Sequence, residues 1–269
     1  YNQQKGEGEI ILNYNQKVIR VLERVGGLAY LTEKNLKIFN SIEFHEYFKT
    51  LDIEIRKIYN GFKFPRTSNL FDGRRQLNIP QDHTVFGMVS RGIPEKGWET
   101  AINAFQVVNS QKRASLILVG SSGYLDELNE KYSNDKSIYF IGYSNDPLFW
   151  TSSFDVGLLP TTFKSESLPT IIIEYLFCGK PVISTDIGEI SQMITTDGKK
   201  AGFVLPLDTE EKVNSDEIAE YMRAYLENHQ LLEEHSSLAR KAFSKFEMDR
   251  CVHKYSTLYS RVLKGFVQA

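Results

Sequence analysis

From Thr84 onward, short apolar runs alternate with stretches whose apolar residues recur every three or four positions. The runs Val85–Ser90, Ser115–Val119, Ile138–Ile141, Phe154–Leu159, Val182–Thr185 and Gly202–Leu205 predict strands. The stretches between them, clearest at Trp98–Val108, Leu125–Tyr132 and Thr170–Cys178, predict helices. A strand covered on both faces is apolar throughout instead of alternating, so the pattern predicts an α/β protein built on a doubly wound parallel sheet. Such sheets bind ligands beyond the carboxyl ends of their strands, and Arg91, Gly120, Gly142, Thr161 and Asp186 all fall there.

The flanking regions follow other patterns. The chain starts polar and rich in Gln and Asn, then becomes helical over Lys17–Val25 through Val18, Ile19, Leu22 and Val25. Gly27–Leu31 is apolar, and Thr32 is expected to cap a helix running through Ile38. His45–Thr50 reads as loop or short helix, and Ile53–Tyr59 as a strand ending at an Asn60-Gly61 turn. Residues 62–82, with Pro65, Ser68, Asp72, Gly73 and Pro80, read as a linker carrying one charged helical turn. Ser215–Leu226 and Leu231–Phe243 are amphipathic helices. The last helix, Asp249–Phe266, places Val252, Tyr255, Tyr259, Val262, Leu263 and Phe266 in one stripe, which is expected to pack instead of meeting a cofactor or membrane.

Composition narrows the function classes. The 269 residues suffice for one large or two modest domains. Lys and Arg total 32 against 34 acids, a net charge of −2, which gives no support to nucleic-acid binding. The two cysteines, Cys178 and Cys251, read as reduced structural residues, so a disulfide framework is not expected. The five histidines are scattered, and no cluster has metal-ligand spacing. With no apolar run near the ~20 residues of a membrane span and no secretory signal, the expectation is a soluble cytoplasmic protein, with surface contact to a membrane left open.

Two stretches carry candidate chemistry. In Lys164–Gly179 the reading is a helix from about Pro169 to Cys178, with Pro169 in its first turn, Ser167 as N-cap and Gly179 ending it. Ile171, Ile172, Ile173, Leu176 and Phe177 should bury it against the sheet. Glu166 then lies just before the helix and Glu174 about a turn and a half inside. Between them the N–H groups of Leu168 and Thr170 lack intrahelical acceptors, so a phosphate flanked by hydroxyl-bearing groups would fit. A dipole-favoured Glu166 and a solvated Glu174 explain the same residues. In Ser90–Gly97, Arg91 and Lys96 share one short loop at a strand's carboxyl end and suit a diphosphate clamp. The alternative is a solvated Lys96 and an Arg91 paired with Glu95. No GxxxxGK[ST] is present, and Gly120-Ser121-Ser122-Gly123 lacks GxGxxG spacing.

Taken in order, RGIPEKG, LILVGSSG, IYFIGY, FDVGLLPT, ESLPTIIIEYLFCGKPVISTDIGEI and GFVLP resemble the C-terminal half of the family 4 retaining glycosyltransferases. The match runs from about Arg56 to Pro206. These enzymes have the GT-B fold, two Rossmann-like domains facing a cleft, so the resemblance implies the Rossmann-like donor-binding domain with a remnant of the N-terminal domain. It gives residues 1–61 as that remnant of the acceptor-binding domain, 62–82 as linker, 83–248 as the nucleotide-sugar-binding domain and 249–269 as a closing helix. The acceptor-binding domain would be largely missing from a truncated chain or supplied by another, which implies donor binding with weak or absent transfer by this chain.

The resemblance also implies residue roles. Arg91 and Lys96 match the basic pair that neutralises the donor diphosphate and then the departing nucleoside diphosphate. Glu166 matches the glutamate that meets hydroxyls of the transferred sugar, and Glu174 the one that binds the ribose. Leu168 and Thr170 would offer amides to phosphate or sugar, with Ser167 beside them. Tyr143, after Gly142, lies where the base is held. Apart from the resemblance, the small residues of Gly120-Ser121-Ser122-Gly123 would let a ligand approach the backbone at Gly120 or would only make a turn. Ser90 and Gly92 replace the frequent glycine and leucine around the arginine. Pro169 leaves the phosphate cradle one donor fewer than in members with glycine there. The implied partners are a nucleotide sugar and a glycan or lipid-linked acceptor, with no nucleic acid, and peripheral membrane contact through the missing domain. No cofactor and no metal are implied, because the two cations supply the charge. Alternatives are a non-catalytic sugar-nucleotide-binding or assembly module and an epimerase or phosphorylase on the same fold.

Overall fold

A computed structural model of the chain describes residues 17–33, 50, 53–64, 73–111 and 113–268. Most of the helix expected from Thr32 and nearly all of His45–Thr50 lie outside those residues. Backbone contacts divide the chain into two units, Tyr1–Phe62 with Glu247–Ala269, and Lys63–Phe246.

In the smaller unit residues 17–22 are helical, and β1 (Gly27–Tyr30) pairs in parallel with β2 (Glu54–Lys57), Gly27 opposite Glu54. Asn60 and Gly61 do not turn as expected. The chain runs on to Phe62, which bridges Glu247 in parallel. The C-terminal helix Met248–Gln268 buries Leu258 to 5% exposure and sets Val262 against Gly27. The expected apolar stripe therefore splits. The helix turns its Leu258/Val262 side inward, which leaves Val252, Tyr259 and Leu263 exposed at 54, 61 and 64%.

In the larger unit the apolar runs become six parallel strands: β3 (Thr84–Val89), β4 (Ala114–Val119), β5 (Ile138–Gly142), β6 (Val156–Leu159), β7 (Val182–Thr185) and, after a short hairpin of β8 (Thr195–Thr196) and β9 (Lys199–Lys200), β10 (Gly202–Leu205). Their order across the sheet is β10-β7-β6-β3-β4-β5. β3 pairs with β4 over its whole length, from Thr84↔Ala114 to Val89↔Val119, and with β6 at Phe86↔Val156 and Gly87↔Gly157.

Alternate residues of these strands face opposite layers. Phe86, Met88, Leu116, Leu118, Val156, Leu158 and Ile183 join one apolar cluster with Trp98, Ile102 and Phe105 of α1 (Trp98–Val108), Leu125 and Leu128 of α2 (Gly123–Lys131), and Ile218 and Met222 of the Ser215–Glu227 helix. On the other face the Tyr175 ring covers Gly157 and the Phe154 ring covers Gly87. Helices cover both faces, as expected of a doubly wound sheet.

The periodic stretches yielded helices close to their predicted ends. The six- and five-residue helices α3 (Pro147–Ser152) and Ile190–Ile194 were too short to show a period. The charged turn in the linker region is Gly73–Gln76. It packs into this unit through Gly73 N–H donating to Ser153 Oγ at 2.9 Å and an Arg74–Asp155 ion pair at 2.6 Å. Both cysteines are free thiols. Among the described residues no helix is long and apolar enough to cross a membrane.

Candidate functional site

The chain builds β4 and β5 outward on one side of β3, then returns to lay β6, β7 and β10 on the other. The loops leaving β3 and β6 therefore diverge from adjacent strands, the kind of topological switch point at which doubly wound sheets hold ligands. The first loop is Ser90–Gly97 and the second is Pro160–Pro169.

Backbone contacts lace these two loops together. The Glu95 carbonyl accepts from Thr162 N–H at 2.7 Å and from Thr161 Oγ1 at 3.1 Å, and Thr185 Oγ1 donates to the Thr161 carbonyl at 2.6 Å. Pro94–Lys96 form a 3-10 turn closed by Gly97 at φ 82°, a left-handed conformation that suits glycine. A Cβ on Gly97 would lie 2.1 Å from the Pro160 carbonyl oxygen, so only glycine allows this approach. Trp98 Nε1 donates to the Arg91 carbonyl at 2.9 Å and fixes the start of the first loop.

The lacing buries Lys96 at 5% exposure and brings its ammonium onto the Glu166 carboxylate, itself 9% exposed. Lys96 is thus not the solvated loop residue that was the alternative. Arg91 is exposed and does not pair with Glu95. Among the described residues it has no ion-pair partner, and its guanidinium lies 5.0 Å from the centre of the Phe163 ring. The Lys96 ammonium lies 4.8 Å from the same ring. Arg91, Lys96 and Glu166 therefore converge around Phe163.

The helix that follows, α4 (Thr170–Phe177), starts differently from the sequence expectation. Pro169 occupies the N-cap itself at φ −65° and ψ 118°, and no side chain caps the helix. Ser167 instead uses its carbonyl, which accepts from Glu189 N–H at 2.9 Å. With no cap, the N–H groups of Leu168 and Thr170 have no acceptor among the described residues. They form an open donor set at the positive end of a helix dipole. Ser167 and Leu168 are half-buried and Thr170 is exposed.

Glu174 is not a solvated helix residue either. Its Oε2 is buried with no hydrogen-bond partner, and burial, then the negative charge of Asp146, pushes its pKa up from 4.5 to about 7. Asp146 caps α3 by accepting from Phe149 N–H at 3.1 Å. Next to Glu174, the fully buried Tyr175 hydroxyl accepts from Val89 N–H at 3.1 Å and donates to the Leu158 carbonyl at 3.2 Å, tying α4 to the ends of β3 and β6. Burial pushes this phenol far up.

The remaining candidates lie along the same edge. Gly120 follows β4, but the space a side chain would take there is filled by the Ser90 carbonyl oxygen, 2.5 Å from a Cβ, and by the Trp98 ring. Tyr143 follows β5 and is 74% exposed. Among the described residues no three His, Cys, Asp or Glu side chains group as metal ligands. Sequence reasoning passed over Phe163, Asp146 and Tyr175. Asp146 before Pro147 is a helix-start signal, and Phe163 is the one apolar residue in the polar loop TTFKSE.

The family described as "Glycosyl transferases group 1" matches residues 71–243. The chain belongs to that family. It is 27% identical over 162 residues to an uncharacterized glycosyltransferase of Methanocaldococcus jannaschii, covering 58% of this chain and 38% of that protein. It is 21% identical over 246 residues to the N,N'-diacetylbacillosaminyl-diphospho-undecaprenol alpha-1,3-N-acetylgalactosaminyltransferase of Campylobacter jejuni, covering 88% of this chain and 60% of that one. The chain thus spans about two-fifths to three-fifths of the length of these relatives. Among solved structures, Anabaena HepE in complex with UDP superposes with a TM-score of 0.73 at 19% identity, over 97% of this chain and 70% of that chain. The fold is thus the α/β Rossmann-like fold of the GT-B glycosyltransferases.

Proposed function

We propose that this chain binds the nucleoside diphosphate of a nucleotide sugar and supplies the donor half of a hexosyltransferase that retains anomeric configuration, as in family 4. The observation that carries the reading is the convergence at the switch point of Arg91, the buried Lys96–Glu166 pair and the open amides of Leu168 and Thr170. In this reading the diphosphate lies on those amides, with Arg91 as a two-pronged donor and Lys96 as a point charge. Glu166 takes hydroxyls of the transferred sugar while remaining the counter-ion of Lys96. Glu174, whose Oε2 has no protein partner, takes the ribose hydroxyls. Ser167, Gly120 and Tyr143 border the same edge, Tyr143 towards the base.

As the bond from the sugar to the diphosphate breaks, negative charge grows on the leaving group. Arg91, Lys96 and the helix dipole are already oriented to stabilise it, so little reorganisation is needed during the reaction. These cations stand where another enzyme would use a divalent ion, so no cofactor or metal enters the proposal. The UDP complex of HepE supports a uridine nucleotide as donor. The name of the C. jejuni relative supports a lipid-linked glycan acceptor. That acceptor would bring the protein to the inner face of a membrane.

Calorimetric titration with UDP- and GDP-sugars tests the site. Arg91→Ala and Glu174→Ala are each expected to weaken binding by about 1.5–3 kcal/mol, the usual worth of a charge-assisted contact. Unchanged affinity in both variants, or no heat from any donor in the parent chain, removes these residues from a nucleotide site.

A further inference from the structure

Phe163 is the residue at this site that the proposed reaction leaves without a role. It stands on the β6–α4 loop, half-buried among polar neighbours, and its backbone is fixed at both ends. Its N–H donates to Thr161 Oγ1 at 3.1 Å, and its carbonyl accepts from Glu166 N–H at 2.9 Å. The turn that carries the ring is therefore the turn that presents Glu166 to Lys96. Two cations from the other loop lie within reach of the ring face, the Arg91 guanidinium at 5.0 Å and the Lys96 ammonium at 4.8 Å from its centre.

An aromatic face carries negative electrostatic potential and attracts cations at this range. Here it serves two at once. Arg91 has no carboxylate partner among the described residues, so without the ring its long side chain would sweep through solvent. Lys96 has one carboxylate for its three N–H donors, and the ring offsets the repulsion between like charges brought together. We propose that Phe163 is a positioning residue for diphosphate recognition, its ring holding Arg91 and Lys96 so that both meet the same anion. The proposal rests on the nucleotide-site reading and adds a residue that never touches the donor's reacting atoms.

The test is calorimetric affinity of the full chain for UDP and for inorganic pyrophosphate at low salt, with thermal midpoints measured alongside. Phe163→Leu fills similar space without a ring and should weaken both ligands by about five- to thirty-fold, while Phe163→Trp should stay within about two-fold of the parent. Fluorinated phenylalanines at position 163 keep the ring's shape and drain its face, so affinity should fall stepwise with each added fluorine. That series decides the matter if Phe163→Leu does not fold. Parental affinity in Phe163→Leu, equal losses in the Leu and Trp variants, or a flat fluorine series each overturn the role of the ring. Arg91→Ala separates the two levels. If it weakens binding while position 163 is silent, only this inference fails; if both are silent, the nucleotide site fails with it.

Discussion

Glu166 and Glu174 flank one helix mouth and are buried in opposite circumstances. Glu166 lies against the Lys96 ammonium, so its charge is met within the protein. Glu174 lies on the first turns of α4 with Oε2 enclosed and unpartnered, facing the further negative charge of Asp146. Buried polar atoms are nearly always hydrogen-bonded, and an unsatisfied one concentrates at sites where a ligand completes the set. The first acid is met within the protein, and the second keeps an enclosed oxygen unmet, which is where the proposed function puts ribose hydroxyls. The same residue type, eight positions on along one segment, has a cationic partner in one place and an unpartnered oxygen in the other.

The largest expected effect strikes the satisfied acid. Glu166→Ala strands a Lys96 ammonium that is only 5% exposed, and breaking a buried pair from one side costs about 3–5 kcal/mol. Urea unfolding should show a drop of that order, and the double variant Lys96→Met, Glu166→Leu should recover most of it. A loss under about 1 kcal/mol would mean that Lys96 finds solvent easily and that the pair is no framework.

A middle-sized effect falls between the two acids. Tyr175→Phe removes the hydroxyl that accepts from Val89 N–H and leaves that part-buried donor unmet, at a cost of about 1–3 kcal/mol. Because Tyr175 also bonds the Leu158 carbonyl, the change should loosen α4 against both central strands. Hydrogen exchange at Val89 should quicken more than at Leu118, a neighbouring-strand amide. Equal protection at both sites would show that water replaces the hydroxyl.

The elements were legible where burial imposed a period. Val182–Thr185 is buried throughout, its Ser184 and Thr185 hydroxyls included, and Gly202–Leu205 at the sheet edge is apolar but half-buried at Phe203 and Val204; the structure returns both sets of bounds unchanged. Strand order was not legible, since nothing in β3 or β6 alone says that they are neighbours. The switch point therefore emerges only from the assembled sheet. The burial of Lys96 was hidden for a related reason. A lysine between Pro94 and Gly97 reads as a solvated loop residue until Thr161 and Thr162 draw the second loop onto Glu95. Ser167 has the right chemistry for a cap, but Pro169 takes that position and leaves the amides open. The burial of Glu174 had a signal that composition obscured. Ile172, Ile173, Tyr175 and Leu176 surround it on a helix with hardly any polar face, so an acid there had little room to reach water.

The smallest effect probes the unsatisfied acid through pH. The Glu174 carboxyl has a folded pKa of about 7 against 4.5 in its unperturbed state, so between those values the folded chain holds a proton that the unfolded chain has released. Its contribution to stability is therefore full below about pH 4.5, is lost as pH rises towards about 7, and changes no further above that. At ~1.4 kcal/mol per pKa unit the whole shift is an upper bound of roughly 3 kcal/mol, which partial exposure to water screens to about 1–2 kcal/mol. Glu174→Gln stays neutral, so it should match the parent at pH 4 and exceed it by that amount at pH 8 in urea unfolding. Binding should run the opposite way. Hydroxyls donate to the ionised carboxylate, so affinity for UDP-glucose, whose diphosphate has no proton to lose in this range, should rise between about pH 5 and 7.5 with release of a proton. The rise should vanish in Glu174→Gln. A parent chain whose affinity is flat across that window would show that the ligand leaves Glu174 as it found it, and the contrast between the two glutamates would then be one of packing alone.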